Sequence, residues 1–339
     1  MNIRDIAKKA GVSVATISRA INQETRSKLS PKTLKLVDAV IQKYGYTPNL
    51  AARNLNRASS KTIGILFPYF YSIFNHQYYV DILAGVADAL INTEYHFKIL
   101  LSRESAPKWD KYDFRKGEFI DGLLITHWPL FFSGKAAVEG LKIPSILLND
   151  YSPDLKAHFI CGDQYQGGQI AAEHLYKLGH RRYALLAGSK GSLDGELRIK
   201  GFMDYLNSKK IIIEPHAIIQ GDYRDDLAYE RIGRMLELKA MRPSAVFCAN
   251  DRMALGVLRR LKDAGINCPK EISVVGFDND REGRENEPSL TSVQVSLYNL
   301  AREAALTLLK TLNGTRPSQS KIKNFFPSDL ILRSSTMLV

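Results

Sequence analysis

The chain has 339 residues, of which 45% are hydrophobic and 24% charged, as in an ordinary soluble globular protein of about two domains. It has no apolar signal-peptide core and no uncharged run near the roughly 18 residues of a membrane span, which predicts a cytoplasmic protein. There is no C-x-x-C spacing among Cys161, Cys248 and Cys268, which predicts neither disulfides nor zinc. Residues 1–62 hold twelve Lys or Arg against three Asp or Glu, so most of the net charge of +12 lies in an arm suited to a polyanion.

Residues 1–47 have the pattern of three short helices. Apolar residues recur at helical spacing over 3–10, before Gly11. Ser13 is a good N-cap for a second helix through Asn22, in which Val14, Ile17 and Ile21 form one stripe. "Ser30-Pro31" opens a third helix that runs to Tyr44. Two helices joined by a glycine turn and braced by a third predict a helix-turn-helix domain.

The second helix holds the candidate DNA-reading residues, because its N-terminal part meets base edges in this geometry. The candidates for base contact are Val14, Ala15, Ser18 and Arg19. Arg19 can bond a guanine bidentately, and an apolar side chain can contact a thymine methyl. The candidates for phosphate contact are Ser13, Thr16 and Asn22. The alternative is a three-helix bundle that binds no nucleic acid.

Residues 48–62 form a predicted hinge helix and linker. "PNLAARNL", residues 48–55, starts with Pro48-Asn49 and continues with good helix formers. About two helical turns are unstable alone in water, so the segment is expected to fold against a partner, such as a second copy on DNA. The polar residues 56–61 are typical of a linker.

The segments "DIAKKAGVSVATISRAIN" and "YGYTPNLAARNL" together resemble the lac repressor (LacI/GalR) family of bacterial transcription regulators. The resemblance implies that Val14, Ala15 and Arg19 read bases and that Leu55 is pushed between base pairs from the minor groove, although Leu55 could instead pack on its own domain. It implies a homodimer on a pseudo-palindromic operator of double-stranded DNA. The expected DNA contacts also include Thr33, Tyr46, Asn49 and Ala52. The loop "NQETRSKLSPKT" is slightly longer than usual.

From residue 63 to 339, short β-rich runs alternate with amphipathic helices. The runs are "TIGILFP", "HFKILLS", "DGLLITH", "PSILLND", "HFICGD", "RYALLAG", "AVFCAN" and "ISVVGFD". Strands buried on both faces with helical crossovers predict two parallel α/β sheets, and ligands bind at the carboxyl ends of such strands. The residues at or near these ends are Phe67, Trp128, Asn149, Arg198, Tyr223, Asn250, Asp251 and Asp278.

This part resembles periplasmic sugar-binding proteins, most specifically in "CANDRMALG", "SVVGFDND" and the stretch from Asp163 to Arg182. The complete expected fold is α + α/β: a helix-turn-helix domain, a hinge helix and a two-lobed sensor. The predicted first lobe comprises about 63–162 and 292–322, and the second about 163–291 and 323–339. The resemblance implies that Arg198, Asn250 and Asp278 touch a small-molecule effector, most simply a sugar. Phe67, Trp128, Asn149 and Tyr223 complete the expected effector site.

Several residues have structural alternatives. Asp163 and Asp251 could cap helices, and Arg198 could form a salt bridge across the crevice. The run "YFYSIFNHQYY", residues 69–79, could line the pocket, the core or a dimer surface. His174 and His180 fit structural roles. No motif for catalysis, a cofactor or a metal was found.

Two departures from the family pattern leave the effector open. About four extra residues lie between Pro68 and Gly85, and Val295-Ser296 replaces a common Gln-Pro pair. The effector could therefore be a nucleoside, a phosphorylated metabolite or a protein corepressor. Two alternative hypotheses for the function of the whole chain are a solute-binding receptor without a DNA role and a sugar-modifying enzyme.

Overall fold

The computed structural model describes residues 1–21, 23–46, 59–69, 73–103, 105–238, 242–315 and 322–339. The chain divides into two compact units, 1–60 and 61–339. None of the described helices is long and apolar enough to cross a membrane. The predicted hinge helix, residues 48–55, lies outside the described residues.

The first unit is a small helical domain that contains the three predicted helices and one more. Its helices are α1 (Ile3–Ala10), α2 (Val14–Ile21), α3 (Gln23–Arg26) and α4 (Pro31–Tyr44). The Ser30 side chain accepts from the Thr33 amide at the start of α4. Gly11 and Gly45 end α1 and α4 with φ of 62° and 58°. The buried core consists of Ile6, Ala7, Ala10, Ile17, Ala20 and Val37.

The sequence did not predict α3, which lies in the long loop after α2. Arg26 explains why this loop takes a defined helical turn. Its guanidinium donates to the Ala20 carbonyl at 2.6 Å and pairs with Asp38 of α4. Thr25 Oγ1 also donates to the carbonyl of Arg19, at 3.2 Å. These contacts tie the loop to the helix on each side of it.

The second unit has two six-stranded sheets flanked by helices, which confirms the predicted α + α/β architecture. The first sheet has the order β11-β5-β4-β3-β1-β2 and the second β12-β10-β9-β8-β6-β7. All described pairs are parallel except β10 with β12. The strands are β1 (Thr62–Pro68), β2 (His96–Ser102), β3 (Gly122–Ile125), β4 (Ser145–Leu148), β5 (His158–Gly162), β6 (Tyr183–Ala187), β7 (Ile218–Gln220), β8 (Ala245–Cys248), β9 (Ser273–Phe277), β10 (Thr291–Gln294), β11 (Lys323–Phe326) and β12 (Asp329–Ile331).

Helices cover the faces of both sheets. Those of the first lobe are α5 (Gln77–Leu90), α6 (Phe114–Gly117), α7 (Trp128–Phe131), α8 (Lys135–Glu139) and α14 (Leu297–Leu312). Those of the second lobe are α9 (Gln164–Lys177), α10 (Leu193–Ser208), α11 (Asp225–Glu237), α12 (Asp251–Asp263) and α13 (Arg281–Glu285). Short 3₁₀ turns occupy Ile73–Asn75 and Pro215–Ala217.

The predicted lobe boundaries are wrong at two strands. β10, assigned from 292 onward to the first lobe, pairs with β9 and β12 in the second sheet. β11, assigned from 323 onward to the second lobe, pairs with β5 in the first sheet. The chain therefore returns to the first lobe after β10 and leaves it after β11, because backbone pairing rather than local pattern decides which sheet a short strand joins.

Candidate functional site

The exposed face of α2 carries the predicted base-contacting residues. Ile17 and Ala20 are fully buried against the other helices. Val14, Ala15, Ser18 and Arg19 are exposed. Val14 is 40% exposed although the sequence also placed it on the apolar stripe of the helix. The face available to a groove therefore combines a guanidinium with small and apolar side chains.

The other predicted DNA contacts in this unit have structural partners. Ser13 Oγ accepts from the Thr16 amide at 3.1 Å and lies 2.9 Å from Thr16 Oγ1, so it caps α2. Thr33 lies at the start of α4, with its Oγ1 2.8 Å from Ser30 Oγ. The Tyr46 ring packs against the core. Four further predicted contacts lie outside the described residues: Asn22, Asn49, Ala52 and Leu55.

A cavity of about 850 Å³ lies between the two sheets of the second unit. Residues of both lobes line this cavity. It is therefore the crevice expected at the carboxyl ends of the strands. Its lining consists of Asn75, His76, Gln77, Tyr78, Asp81, Tyr223, Asp225, Asn250, Arg252, Leu255, Arg259, Asp278, Asp280, Arg281, Glu282 and Leu297. Among the predicted effector contacts, Tyr223, Asn250 and Asp278 are in this lining.

Arg198 lies behind the lining and pairs with Asp278. A guanidinium nitrogen is 3.1 Å from Asp278 Oδ1 and donates to the Ala249 carbonyl at 2.6 Å. The guanidinium also lies 3.7 Å from the centre of the Phe277 ring, where the π-face attracts a cation. Arg198 is 5% exposed. Both partners belong to the second lobe, so the pair does not bridge the crevice.

Burial raises the pKa of Asp278 to about 7, although the Arg198 guanidinium opposes this shift. Asp278 also has a φ of 103°, a conformation that costs energy for a residue with a side chain. Its backbone amide donates to the Val293 carbonyl at 2.7 Å, which holds this geometry. The carboxyl is thus fixed at the end of β9, facing the cavity.

Asn250 and Tyr223 also have defined positions. The Asn250 side chain accepts from the Met253 amide at 2.9 Å and caps α12, as well as lining the cavity. Tyr223 has its hydroxyl 2.8 Å from Ser192 Oγ. The neighbouring Asp251 is fully buried and accepts from Ser292 Oγ at 2.6 Å and from the Asp280 amide at 2.7 Å. Asp251 therefore links the loop after β9 to strand β10.

The remaining predicted effector contacts have other neighbours. Phe67 is fully buried, with its ring 5.0 Å from that of Tyr79. The Trp128 amide donates to Asp150 Oδ2 at 2.9 Å at the start of α7. Asn149 has a φ of 50° and turns its side chain toward Gly162. None of these three is among the described residues that line the cavity.

Sequence reasoning missed three ionisable groups, Asp194, Asp150 and His127, of which Asp194 interacts with Arg198 and with the other two. Burial tends to raise the pKa of Asp194, but the Arg198 guanidinium and the hydrogen bond from Ser192 together lower it. Burial raises the pKa of Asp150 to about 7, and the charge of Asp194 adds to this shift. Burial lowers the pKa of His127. Their clustering depends on packing between lobes and left no local sequence signal.

The aromatic run divides between two of its predicted roles. Tyr79 belongs to the core, whereas Tyr78 lines the cavity with Asn75, His76 and Gln77. The segment with extra residues therefore reaches the crevice. Asp163 caps α9 by accepting from the Gln166 amide at 2.9 Å. The ring nitrogens of His180 lie 3.0 Å from Ser244 Oγ and 3.1 Å from Ser273 Oγ, and His174 lies 3.0 Å from Thr336 Oγ1.

Metal chemistry has no candidate here, since no group of three or more His, Cys, Asp or Glu in the described part of the chain could hold an ion.

Comparison with known proteins gave matches along nearly the whole chain. The profile "Bacterial regulatory proteins, lacI family" matches residues 2–49, and "Periplasmic binding protein-like domain" matches 172–336. Catabolite control protein A of Priestia megaterium is 30% identical over 347 residues, covering 99% of both chains. The lac repressor dimer bound to operator and the anti-inducer ONPF is similar to this chain with a TM-score of 0.85 at 27% identity. The CelR–cellobiose complex is similar with a TM-score of 0.72 at 25% identity. Each similarity covers 99% of this chain and 99% of the other.

Proposed function

The chain belongs to the lacI family of bacterial regulatory proteins and is a ligand-responsive, DNA-binding transcriptional repressor, and we propose that α2 reads its operator while the crevice binds a sugar-like effector. Arg19 and its exposed neighbours support the first part, because they present a guanidinium and apolar groups on one helix face. We expect Leu55 to act as the minor-groove wedge.

The grouping of Asp278, Asn250 and Tyr223 around one cavity carries the effector proposal. A sugar offers hydroxyl groups that donate to a carboxylate, and its apolar face can lie on an aromatic ring. A volume of about 850 Å³ is within the usual range for small-molecule sites. The lining carries five carboxyl groups (Asp81, Asp225, Asp278, Asp280, Glu282) against three arginines (Arg252, Arg259, Arg281), a balance that favours a neutral sugar over a phosphorylated metabolite.

Calorimetric titration tests the effector class. The panel comprises cellobiose, D-ribose, adenosine and glucose 6-phosphate, added to the wild type and to Asp278→Ala. We expect a neutral sugar to bind the wild type and to lose at least tenfold in affinity in the variant, while exposed Glu214→Ala behaves as wild type. Binding confined to adenosine or to the phosphate ester would contradict the proposal, and so would an unchanged affinity in Asp278→Ala.

We expect two copies of the chain to bind one pseudo-palindromic operator, since two copies of α2 can then read two half-sites. The lac repressor structure to which the chain is similar is a dimer on its operator. Sedimentation at micromolar concentration should give twice the mass of one chain. Fluorescence anisotropy on DNA selected from a random pool, at fixed salt, should give one dimer per site. A monomer that binds the selected DNA equally tightly would contradict this arrangement.

Because the proposed target is chromosomal DNA, we expect the protein to act in the cytoplasm. We also expect no turnover of the bound compound. Recovery of the sugar unchanged after prolonged incubation would support the absence of turnover. A chemically altered product would instead favour the hypothesis of a sugar-modifying enzyme.

A further inference from the structure

Hydrogen bonds connect the first lobe to Arg198 through Gln164, the first residue of α9. Asn149 follows β4 in the first lobe, and its Oδ1 accepts from the Gly162 amide at 3.1 Å and from Gln164 Nε2 at 3.4 Å. On its other side, Gln164 Oε1 accepts from Arg198 Nε at 2.8 Å. Gln164 is 2% exposed, so water competes little for these bonds.

The chemistry of the partners fixes the orientation of both amide groups. Arg198 Nε can only donate, so the Gln164 atom facing it must be the oxygen. The Gly162 backbone amide also can only donate, so the Asn149 atom facing it must be the oxygen. The Gln164 NH₂ group is then left to face the Asn149 oxygen. Gln164 therefore accepts from the effector side and donates to the first lobe.

The first turn of α9 is also where the segments that cross between the sheets meet. The Asp163 amide donates to the Phe326 carbonyl at 2.7 Å, and the Ser328 amide donates to Gln166 Oε1 at 3.0 Å. A Cβ on Gly162 would lie 2.6 Å from Val295 Cγ2, so the crossing after β5 lies directly against the crossing after β10. A shift of this turn would change the relative position of the two lobes.

We propose that Gln164 is a positioning residue that couples Arg198, which lies behind the effector cavity and pairs with Asp278, to the angle between the two lobes. The inference rests on the proposed effector site at Asp278. A group that engages Asp278 changes how the Arg198 guanidinium is shared among Asp278, the Ala249 carbonyl and Gln164. Gln164 passes this change to Asn149 and hence to the first lobe.

Gln164→Glu separates the two sides of the bridge. One carboxylate oxygen still accepts from Arg198, but the other faces the Asn149 oxygen, and two acceptors cannot bond to each other. Gln164→Met removes both bonds without adding a charge, and it serves as the second variant if the buried carboxylate prevents folding. Gln169→Glu is the matched control, because it makes the same change on the same helix outside this network.

The coupling can be measured without knowing the effector, by using Asp278→Asn as the perturbation. Spin labels at Lys142→Cys in the first lobe and Lys262→Cys in the second, in a Cys268→Ser background, report the interlobe distance by electron–electron resonance. Dilution with unlabelled protein restricts the signal to distances within one chain. Asp278→Asn is then introduced into the wild-type, Gln164→Glu, Gln164→Met and Gln169→Glu backgrounds.

Asp278→Asn should shift the modal distance by more than about 2 Å in the wild-type and Gln169→Glu backgrounds. In both Gln164 variants, Asp278→Asn should shift the modal distance by less than half as much. Such non-additivity indicates that the two residues are coupled. Equal shifts in all backgrounds, or no shift in any, would overturn the proposal. The distance measurement uses no sugar, so its outcome does not depend on the calorimetric test. Failure of the proposed sugar site and failure of the proposed coupling can therefore be told apart.

Discussion

At the scale of single residues, Asp278 combines two costly features at the edge of the cavity. Its backbone is in an unfavourable region, and its carboxyl, which is 33% exposed at the cavity, pairs with the buried Arg198 guanidinium. Strained backbone and shifted pKa values of this kind concentrate at binding sites, where the fold tolerates them for the sake of a defined geometry. The stability of the folded protein should therefore depend on pH through Asp278.

Asp278 should make the folded protein less stable as the pH rises from about 4 to about 7. Burial raises its pKa from 3.8 to about 7, so in this range the folded state holds a proton that the unfolded state has lost. The stabilisation is complete below pH 4 and lost by pH 7. Between pH 5 and 8, urea unfolding should show that the wild type loses more unfolding free energy than Asp278→Asn does. The difference should be only on the order of 1 kcal/mol, because the side chain is 33% exposed and solvent screens its charge. Equal pH profiles would show that the carboxyl is ionised throughout.

Arg19→Ala should relax base preference at one position of each half-site, by about 1–3 kcal/mol. The reason is that a bidentate bond from a guanidinium to guanine is lost, whereas the remaining bases and phosphates keep their contacts. Competition between the selected operator and its single-base variants, at fixed salt, measures the effect. Lys35→Ala on α4 is the charge-matched control and should weaken all sequences alike. If Arg19→Ala behaved in the same way, Arg19 would be a phosphate contact.

At the scale of elements, the position of Arg198 depends on how closely α9 and α10 approach. A Cβ on Gly168 would lie 2.0 Å from the Arg198 carbonyl oxygen, and one on Gly201 would lie 2.0 Å from that of Tyr165. Both clashes are with backbone, so a side chain at either position must push the helices apart. The sequence motif that contains Gly168 thus sets the distance between two helices.

Gly168→Ala should therefore destabilise the second unit by about 1–3 kcal/mol and weaken sugar binding through displacement of Arg198. Thermal and urea unfolding give the stability, and calorimetry gives the affinity. Gly134→Ala is the control, since a Cβ there meets nothing within 4 Å and its φ of −178° suits any residue. A fully stable Gly168→Ala protein with wild-type affinity would mean that the helices adjust without moving Arg198.

Elements with strong local patterns could be predicted from the sequence, and pairings between distant segments could not. β1 matches its predicted run, because a strand buried within a parallel sheet is a continuous apolar stretch. β2, at the edge of the sheet, also matches its predicted run, although several of its residues are exposed. β10 and β11 were given to the wrong lobes, because a four-residue strand has no local feature that selects its partner. Gln164 was not singled out, because its role exists only through Asn149 and Arg198, which are distant in sequence.

At the scale of the whole molecule, repression requires that the effector site and the DNA-reading unit affect each other. An effector that changes operator affinity must change it by a coupling free energy, typically about 1–3 kcal/mol, and the operator must change effector affinity equally. Residues 48–58, which connect the two units along the chain, lie outside the described residues. Their part in this coupling is a prediction from the sequence, and Leu55 is where it can be tested.

Leu55→Ala should weaken operator binding and reduce DNA bending while leaving sugar affinity unchanged. An apolar side chain inserted between base pairs unstacks them and kinks the duplex, and alanine is too short to do so. Gel mobility of circularly permuted operator fragments measures bending, anisotropy measures DNA affinity and calorimetry measures sugar affinity. Asn56→Ala, next along the chain, is the control and should bend DNA as the wild type does. Unaltered bending in Leu55→Ala would remove the wedge, whereas loss of sugar affinity would mean that Leu55 supports the sensor instead.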